Sequence, residues 1–273
     1  MNRSAFTLVE VSIAIVIMSL LIIVISGGQT LLTQSRLSRL SAEINDIKQA
    51  IATFGLTYDA IPGDYSNAYS MFGDLGCGDD DSADLSTAEI TEACNGNGDY
   101  EIENNGIEIA EFDGSSAGFF REEHNVWNHL YYANLMNIPT AHNNYFESAS
   151  FPNIIISYGL QDLTSNPEFK RPSNVLLIGA LRSDLLATDL TQTYVLPASI
   201  LTPRDAKKLD DKIDDGIAYG GAVQGFSGYE SDGSLSLDCA SDITNYNADN
   251  TTDYDLTHDN KSCVLMIDIY TVN

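Results

Sequence analysis

Basic side chains are scarce in this chain. Its 273 residues include 13 Lys and Arg against 39 Asp and Glu, which gives a formal net charge of −26. So acidic a surface repels phosphates, and it offers no basic patch of the kind that binds nucleic acid. Because 44% of the residues are hydrophobic, the chain is not a disordered acidic tail either. We expect a folded protein with no nucleic-acid partner. Its length suffices for one membrane helix and one fair-sized globular domain, or two small ones.

Catalytic motifs are also lacking. The four histidines show no metalloprotease spacing, and no phosphate-binding glycine loop follows a predicted strand. The nearest approach to a nucleophile elbow, at residues 228–233, has Ser231 at the wrong offset. We therefore expect the protein not to be an enzyme, although a tethered hydrolase stays open on size alone.

Cysteine is limited to four residues, Cys77, Cys94, Cys239 and Cys263. The absence of any Cys-x-x-Cys argues against zinc. Four cysteines allow three pairings, of which we favour Cys77–Cys94 and Cys239–Cys263. Each would close a loop of moderate length, worth about 3 kcal/mol. Disulfides imply an oxidising compartment such as the periplasm or the cell surface.

The long apolar run lies at the N-terminus. A polar leader, residues 1–5, is followed by residues 6–26, which are apolar or small except for Glu10. That run is long enough to cross a bilayer as a helix. A carboxylate there costs at most about 2.5–3.5 kcal/mol and needs a partner. The simplest partner is a free amine at Phe6, created by cleavage after Ala5 and supplied by a neighbouring copy.

Residues 4–10, Ser-Ala-Phe-Thr-Leu-Val-Glu, resemble the processing signature of type IV prepilins and type II secretion pseudopilins. The resemblance implies that a prepilin peptidase removes the leader, that Phe6 becomes N-methylated, and that Glu10 neutralises the amine of an adjacent subunit. One departure is Ala5, where the family usually has Gly. The alternatives are an ordinary secretory signal cleaved near Ser26 and a plain signal anchor.

The helix is predicted to continue to Tyr58. Apolar residues recur in steps of three and four at Leu37, Leu40, Ile44, Ile47, Ile51 and Phe54. This stripe predicts packing against a sheet, and Pro62-Gly63 marks the end of the segment. Residues 59–273 then form an extracytoplasmic, pilin-like domain.

Within that domain, helices are predicted at 122–137 and after the N-cap Thr202, ending at Gly216. Strands are predicted at 153–158, 174–178, 193–196 and 263–272. The fold class is α+β, with a long N-terminal helix, transmembrane in its first half, packed on an antiparallel β-sheet.

A possible calcium loop lies between the first two cysteines and the second helix. Oxygen-bearing side chains alternate with glycines, at Asn95, Asn97, Asp99, Glu101 and Glu103. The glutamate due at the twelfth position of such a loop is missing, since Gly106 stands there. A solvated, turn-rich loop is the alternative. Another acidic cluster, residues 210–215, ends the Thr202 helix, where its charge needs a cation, a lysine or backbone donors.

The resemblance implies a structural subunit of a type IV pilus or a type II secretion filament. Its partners would be other pilin or pseudopilin subunits, the prepilin peptidase and the inner-membrane assembly platform. It would sit in the bacterial inner membrane with its C-terminal domain in the periplasm, and reach the filament or cell surface after assembly. The alternative is a surface-displayed adhesin or ligand-binding domain tethered by a pilin-type helix, with Tyr229, Tyr246 and Tyr254 as its recognition face.

Overall fold

The computed structural model describes residues 8–73, 94–100, 102, 107–108, 119–120, 122–137, 145–160, 174–180, 198–228, 236, 238–240 and 252–269. Its first element is helix α1, Leu8–Tyr58. The apolar stripe predicted in its second half is buried, and each of its six residues is at most 1% exposed. The helix stops where Asp59 takes a positive φ of 53°. Among the described residues, none of the helices combines the length and the apolar character that crossing a membrane requires.

The C-terminal part is built on an antiparallel sheet. Its five described strands are β3 Tyr145–Glu147, β4 Ile155–Leu160, β5 Asn174–Gly179, β6 Val223–Ser227 and β7 Cys263–Asp268. They run across the sheet in the order β3-β4-β5-β7-β6. A separate pair joins β1 Ile107–Glu108 to β2 Phe119–Phe120. Strand β7, from the chain's C-terminal end, is inserted between β5 and β6.

Three further helices complete the described elements: α2 Ala68–Phe72, α3 Glu122–Tyr132 and α4 Pro203–Ile213. Both α3 and α4 contact α1 and the sheet, so the buried side of α1 belongs to one continuous apolar core. The prediction of an N-terminal helix followed by an antiparallel sheet, an α+β fold, is confirmed.

Some boundaries differ from the prediction. Helix α3 ends at Tyr132 and not at Asn137, because Asn134 adopts a φ of 56° and the N–H groups of Leu135 and Met136 both bond to Leu130 O. Strand β4 begins two residues late, since a turn bonds Ile154 N–H to Phe151 O. Strands β3 and β6 were not predicted. The strand predicted at 193–196 lies outside the described residues.

The cysteines can be followed in part. Cys239 and Cys263 form a disulfide with a Cα–Cα distance of 5.0 Å. Cys94 is also disulfide-bonded, while Cys77 lies outside the described residues. The Cys239–Cys263 bond ties the segment before β7 to the first residue of that strand.

Candidate functional site

The first half of α1 carries apolar side chains that the folded domain does not cover. Leu8 is 86% exposed, Ile22 64% and Leu31 68%, whereas the first buried apolar residue is Leu37. Residues 8–36 thus form a projecting rod about 43 Å long at 1.5 Å per residue. An apolar surface of this extent marks a site of membrane or protein contact.

Glu10 lies in the first turn of this rod, and its side chain is exposed. A carboxylate is well placed there, because the N-terminal end of a helix carries partial positive charge. The predicted cleavage residues Ala5 and Phe6 lie outside the described residues. The exposed position of Glu10 leaves it accessible to a group from another chain.

The loop predicted to bind calcium is organised around a different residue, Asp64. This carboxylate is only 1% exposed and accepts hydrogen bonds from Gly98 N–H at 2.5 Å and Tyr100 N–H at 2.7 Å. Burial raises the pKa of Asp64, and those backbone bonds act against the rise. The approach needs a glycine at Gly96, where a Cβ atom would stand 2.2 Å from the Asp64 Cα.

The three described members of the predicted calcium site use their side chains in hydrogen bonds to α2 and within the loop. Asn95 Oδ1 accepts from Tyr69 N–H at 2.9 Å, Asn97 Oδ1 accepts from Asp99 N–H at 2.9 Å, and Asn97 Nδ2 donates to Asp99 Oδ2 at 3.1 Å. Glu101 and Glu103 lie outside the described residues. The backbone donors that converge here bind the Asp64 carboxyl group. Calcium binding by this loop stays a prediction.

His129 is a buried residue whose ring hydrogen-bonds to two distant segments, and no pattern in the sequence indicated this role. Its Nδ1 accepts from Gly63 N–H at 2.8 Å and its Nε2 faces Cys94 O at 3.0 Å. Because a backbone N–H can only donate, Nδ1 is the unprotonated nitrogen and Nε2 the donor. Complete burial lowers the pKa of His129 from 6.5 to about 4, so the ring is neutral at pH 7. It joins the turn after α1 to Cys94 and α3.

The acidic cluster at the end of α4 is held by backbone donors. Asp210, Asp214 and Asp215 place carboxylate oxygens within 4.8 Å of one another. Gly216 N–H donates to Asp210 at 3.1 Å, Val223 N–H to Asp214 at 3.1 Å and Ile217 N–H to Asp215 at 2.8 Å. The sequence left a cation, a lysine or backbone donors as ways to compensate the negative charge of this cluster. The structure shows backbone donors.

Asp210 is the buried member of this cluster, and Tyr254 O–H donates to it at 2.8 Å. Burial raises the pKa of Asp210 to about 7, and the neighbouring charges of Asp215 and Asp214 add to the rise. Tyr254 is only 3% exposed, so it cannot belong to an external recognition face. Tyr229 and Tyr246, the other tyrosines predicted for such a face, lie outside the described residues.

The N-terminal part of the rod matches a known family model. Residues 1–26 match the prokaryotic N-terminal methylation motif, the signature of type IV pilins and pseudopilins. The resemblance drawn from residues 4–10 is thereby confirmed. The motif is that of a prepilin-type precursor, a membrane-anchored protein that a peptidase processes and that assembles with other pilin subunits. No curated protein and no solved structure matches the chain.

Proposed function

We propose that this protein is a structural subunit, a pilin or pseudopilin, of a type IV pilus or a type II secretion filament. The observation that carries the proposal is the continuity of α1. The methylation motif leads directly into a helix whose first half is apolar and exposed and whose second half is buried in a folded domain. Such a helix carries the folded domain on its second half, and its exposed apolar first half can serve first as an anchor and then as an assembly surface.

Before assembly, residues 6–26 anchor the chain in the inner membrane, with the domain of residues 59–273 in the periplasm. The leader is cleaved between Ala5 and Phe6 by the prepilin peptidase, and the new amine is methylated. The assembly platform then draws the helix into a filament, where its apolar side chains pack against those of other subunits.

Glu10 supplies the specific contact in this assembly. In an apolar filament core an unpaired carboxylate is costly, so it pairs with the Phe6 amine of an adjacent subunit. Removing one partner leaves the other charge uncompensated, which is the expensive state. The acidic domain remains outside the core, and we assign it no catalytic role.

N-terminal mass spectrometry of the membrane fraction, together with the yield of sheared filaments, tests this function. The mature chain should begin at a methylated Phe6. The variant Glu10→Ala should be cleaved normally yet give at least tenfold fewer filaments. Ser12→Ala is the matched control, because Ser12 is exposed on the same helix and its hydroxyl donates to the backbone oxygen of Val9 at 2.8 Å. A chain that still begins at Met1, or one cleaved near Ser26, contradicts the proposal, as does full assembly of Glu10→Ala.

A further inference from the structure

The loop after Cys94 contains a dipeptide with covalent chemistry of its own. Residues 95–98 read Asn-Gly-Asn-Gly, and an asparagine deamidates most readily before glycine, which has no side chain to obstruct its backbone nitrogen. In this reaction the Gly98 nitrogen bonds to Asn97 Cγ, the bond from Cγ to Nδ2 breaks, and ammonia leaves with the Gly98 proton. Water then opens the five-membered ring to give aspartate or isoaspartate.

The backbone nitrogen that must attack is already engaged. Asn97 is exposed, so water reaches it, but Gly98 N–H donates to Asp64 Oδ1 at 2.5 Å. The nitrogen cannot lose its proton and turn towards Asn97 Cγ without giving up this bond. Because Asp64 is only 1% exposed, breaking the bond leaves a buried acceptor with one donor fewer, which costs free energy.

The side chain of Asn97 is held as well. Its Oδ1 accepts from Asp99 N–H at 2.9 Å, and its Nδ2 donates to Asp99 Oδ2 at 3.1 Å. The first of these bonds closes an Asx-turn, in which an asparagine binds the backbone two residues later. Ring closure moves Cγ onto the Gly98 nitrogen and expels Nδ2, so the bond from Nδ2 to Asp99 is lost and the bond to Oδ1 has to shift.

Two further bonds fix the loop on either side of the dipeptide. Tyr100 N–H donates to Asp64 Oδ2 at 2.7 Å, which keeps the Asp64 carboxyl group in place beside Gly98. Asn97 N–H donates to Glu122 Oε1 at 2.9 Å, which holds Asn97 without involving the Gly98 nitrogen. The effect of Asp64 can therefore be separated from that of loop order in general.

From these contacts we propose that Asn97–Gly98 is a latent deamidation site, kept unreactive in the folded protein by the bond from Gly98 N–H to Asp64. The reaction proceeds from the molecules in which this loop has opened locally. The cyclic intermediate cannot close the loop again, because its imide nitrogen has no proton to donate to Asp64. The final product places a second negative charge beside Asp99, where Nδ2 had been a donor. Converted chains therefore mark earlier opening of the loop.

Peptide mapping by mass spectrometry measures the conversion of Asn97 in the full-length protein, kept in detergent at pH 8. The unaltered protein should convert at least tenfold more slowly than an acetylated peptide of residues 95–100, which lacks Asp64. Asp64→Ala should accelerate the conversion at least fivefold. Glu122→Ala is the matched control, because it removes a bond to the same asparagine but leaves the one to Gly98, and it should change the rate less than twofold.

Asn95–Gly96 is an internal reference in the same loop. Gly96 N–H donates to Tyr65 O at 3.2 Å, a backbone acceptor that Asp64→Ala retains. The acceleration caused by this variant should therefore be at least threefold greater at Asn97 than at Asn95. Equal acceleration at both asparagines would mean that the variant opens the whole loop, and would overturn the role given to the Asp64 carboxyl group.

The unaltered protein provides a decisive comparison even if Asp64→Ala fails to fold. Conversion of Asn97 as fast as in the peptide overturns the inference. Faster conversion overturns it too, since Asp64 would then act as a base that promotes the reaction. Equal acceleration by Glu122→Ala and Asp64→Ala has the same consequence. Because the chemistry is internal to one chain, these outcomes leave the proposed filament role untouched.

Discussion

At the scale of single residues, Asp64 shows how a side chain can organise a loop that looks like a metal site. Its carboxyl group accepts hydrogen bonds from the N–H groups of Gly98 and Tyr100, and the residue is almost fully buried. Charged acceptors bonded to backbone donors form the stronger class of hydrogen bonds. Asp64 therefore ties the loop to the turn after α1, and Tyr100 O–H adds a second tie by donating to Asp59 O at 3.0 Å.

Asp64→Asn should destabilise the protein by about 1–3 kcal/mol, because the amide nitrogen would face a backbone donor and leave it unpaired. Urea unfolding of the full-length protein in detergent measures the change. Asp59→Asn is the matched control, since Asp59 is exposed in the same turn and should shift stability by less than about 0.5 kcal/mol. Equal effects of the two variants would contradict the role given to Asp64.

The residues that the sequence revealed are those whose chemistry is local. Glu10 is the one charged residue in an apolar run. Thr202 caps helix α4, because its side-chain oxygen accepts a hydrogen bond at 3.2 Å from the N–H group of Asp205, three residues later. Asp64 and His129 gave no signal, because their partners lie 34 to 66 residues away. Such contacts exist only after the chain has folded, so no local pattern reports them.

At the scale of elements, α1 is one helix with two environments. Periodicity predicted its buried half well, since steps of three and four residues are read directly from the sequence. Strand β6 escaped prediction because its central Gly225 packs against Tyr254, where a Cβ atom would stand 2.4 Å from the ring Cε1. Strand β3 has only three residues, which is too short for an alternating pattern to show.

Truncating one side chain in each half of α1 should distinguish the roles of the two halves. Ile44→Ala should cost about 2–5 kcal/mol of domain stability, because Ile44 is fully buried and its loss leaves a cavity. Leu31→Ala, at a position 68% exposed, should leave the melting temperature of the domain unchanged but lower filament yield. Thermal unfolding and shearing of the same preparations check both. A melting temperature lowered as much by Leu31→Ala as by Ile44→Ala would mean that the rod packs on its own domain.

At the scale of the whole molecule, two buried groups give opposite pH dependences. His129 has a folded pKa of about 4, below its usual 6.5, so stability falls as pH drops from 6.5 towards 4. Asp210 has a folded pKa of about 7, above its usual 3.8, so stability falls as pH rises from 3.8 towards 7. Each effect is on the order of 3 kcal/mol. Within the shared range the two contributions oppose each other.

Variants that remove one of the two groups should reveal how the other makes the unfolding free energy depend on pH between 4.5 and 6.5. Asp210→Asn leaves His129 unopposed, so its unfolding free energy should rise with pH. His129→Gln leaves Asp210 unopposed, so its unfolding free energy should decrease with pH, whatever its absolute stability. The slope of the unaltered chain should lie between those of the two variants, as measured by urea unfolding at five pH values. Parallel slopes would mean that His129 and Asp210 do not change their proton affinity on folding. Opposite slopes would show that the buried base and the buried acid change the stability of the domain in opposite directions over this pH range.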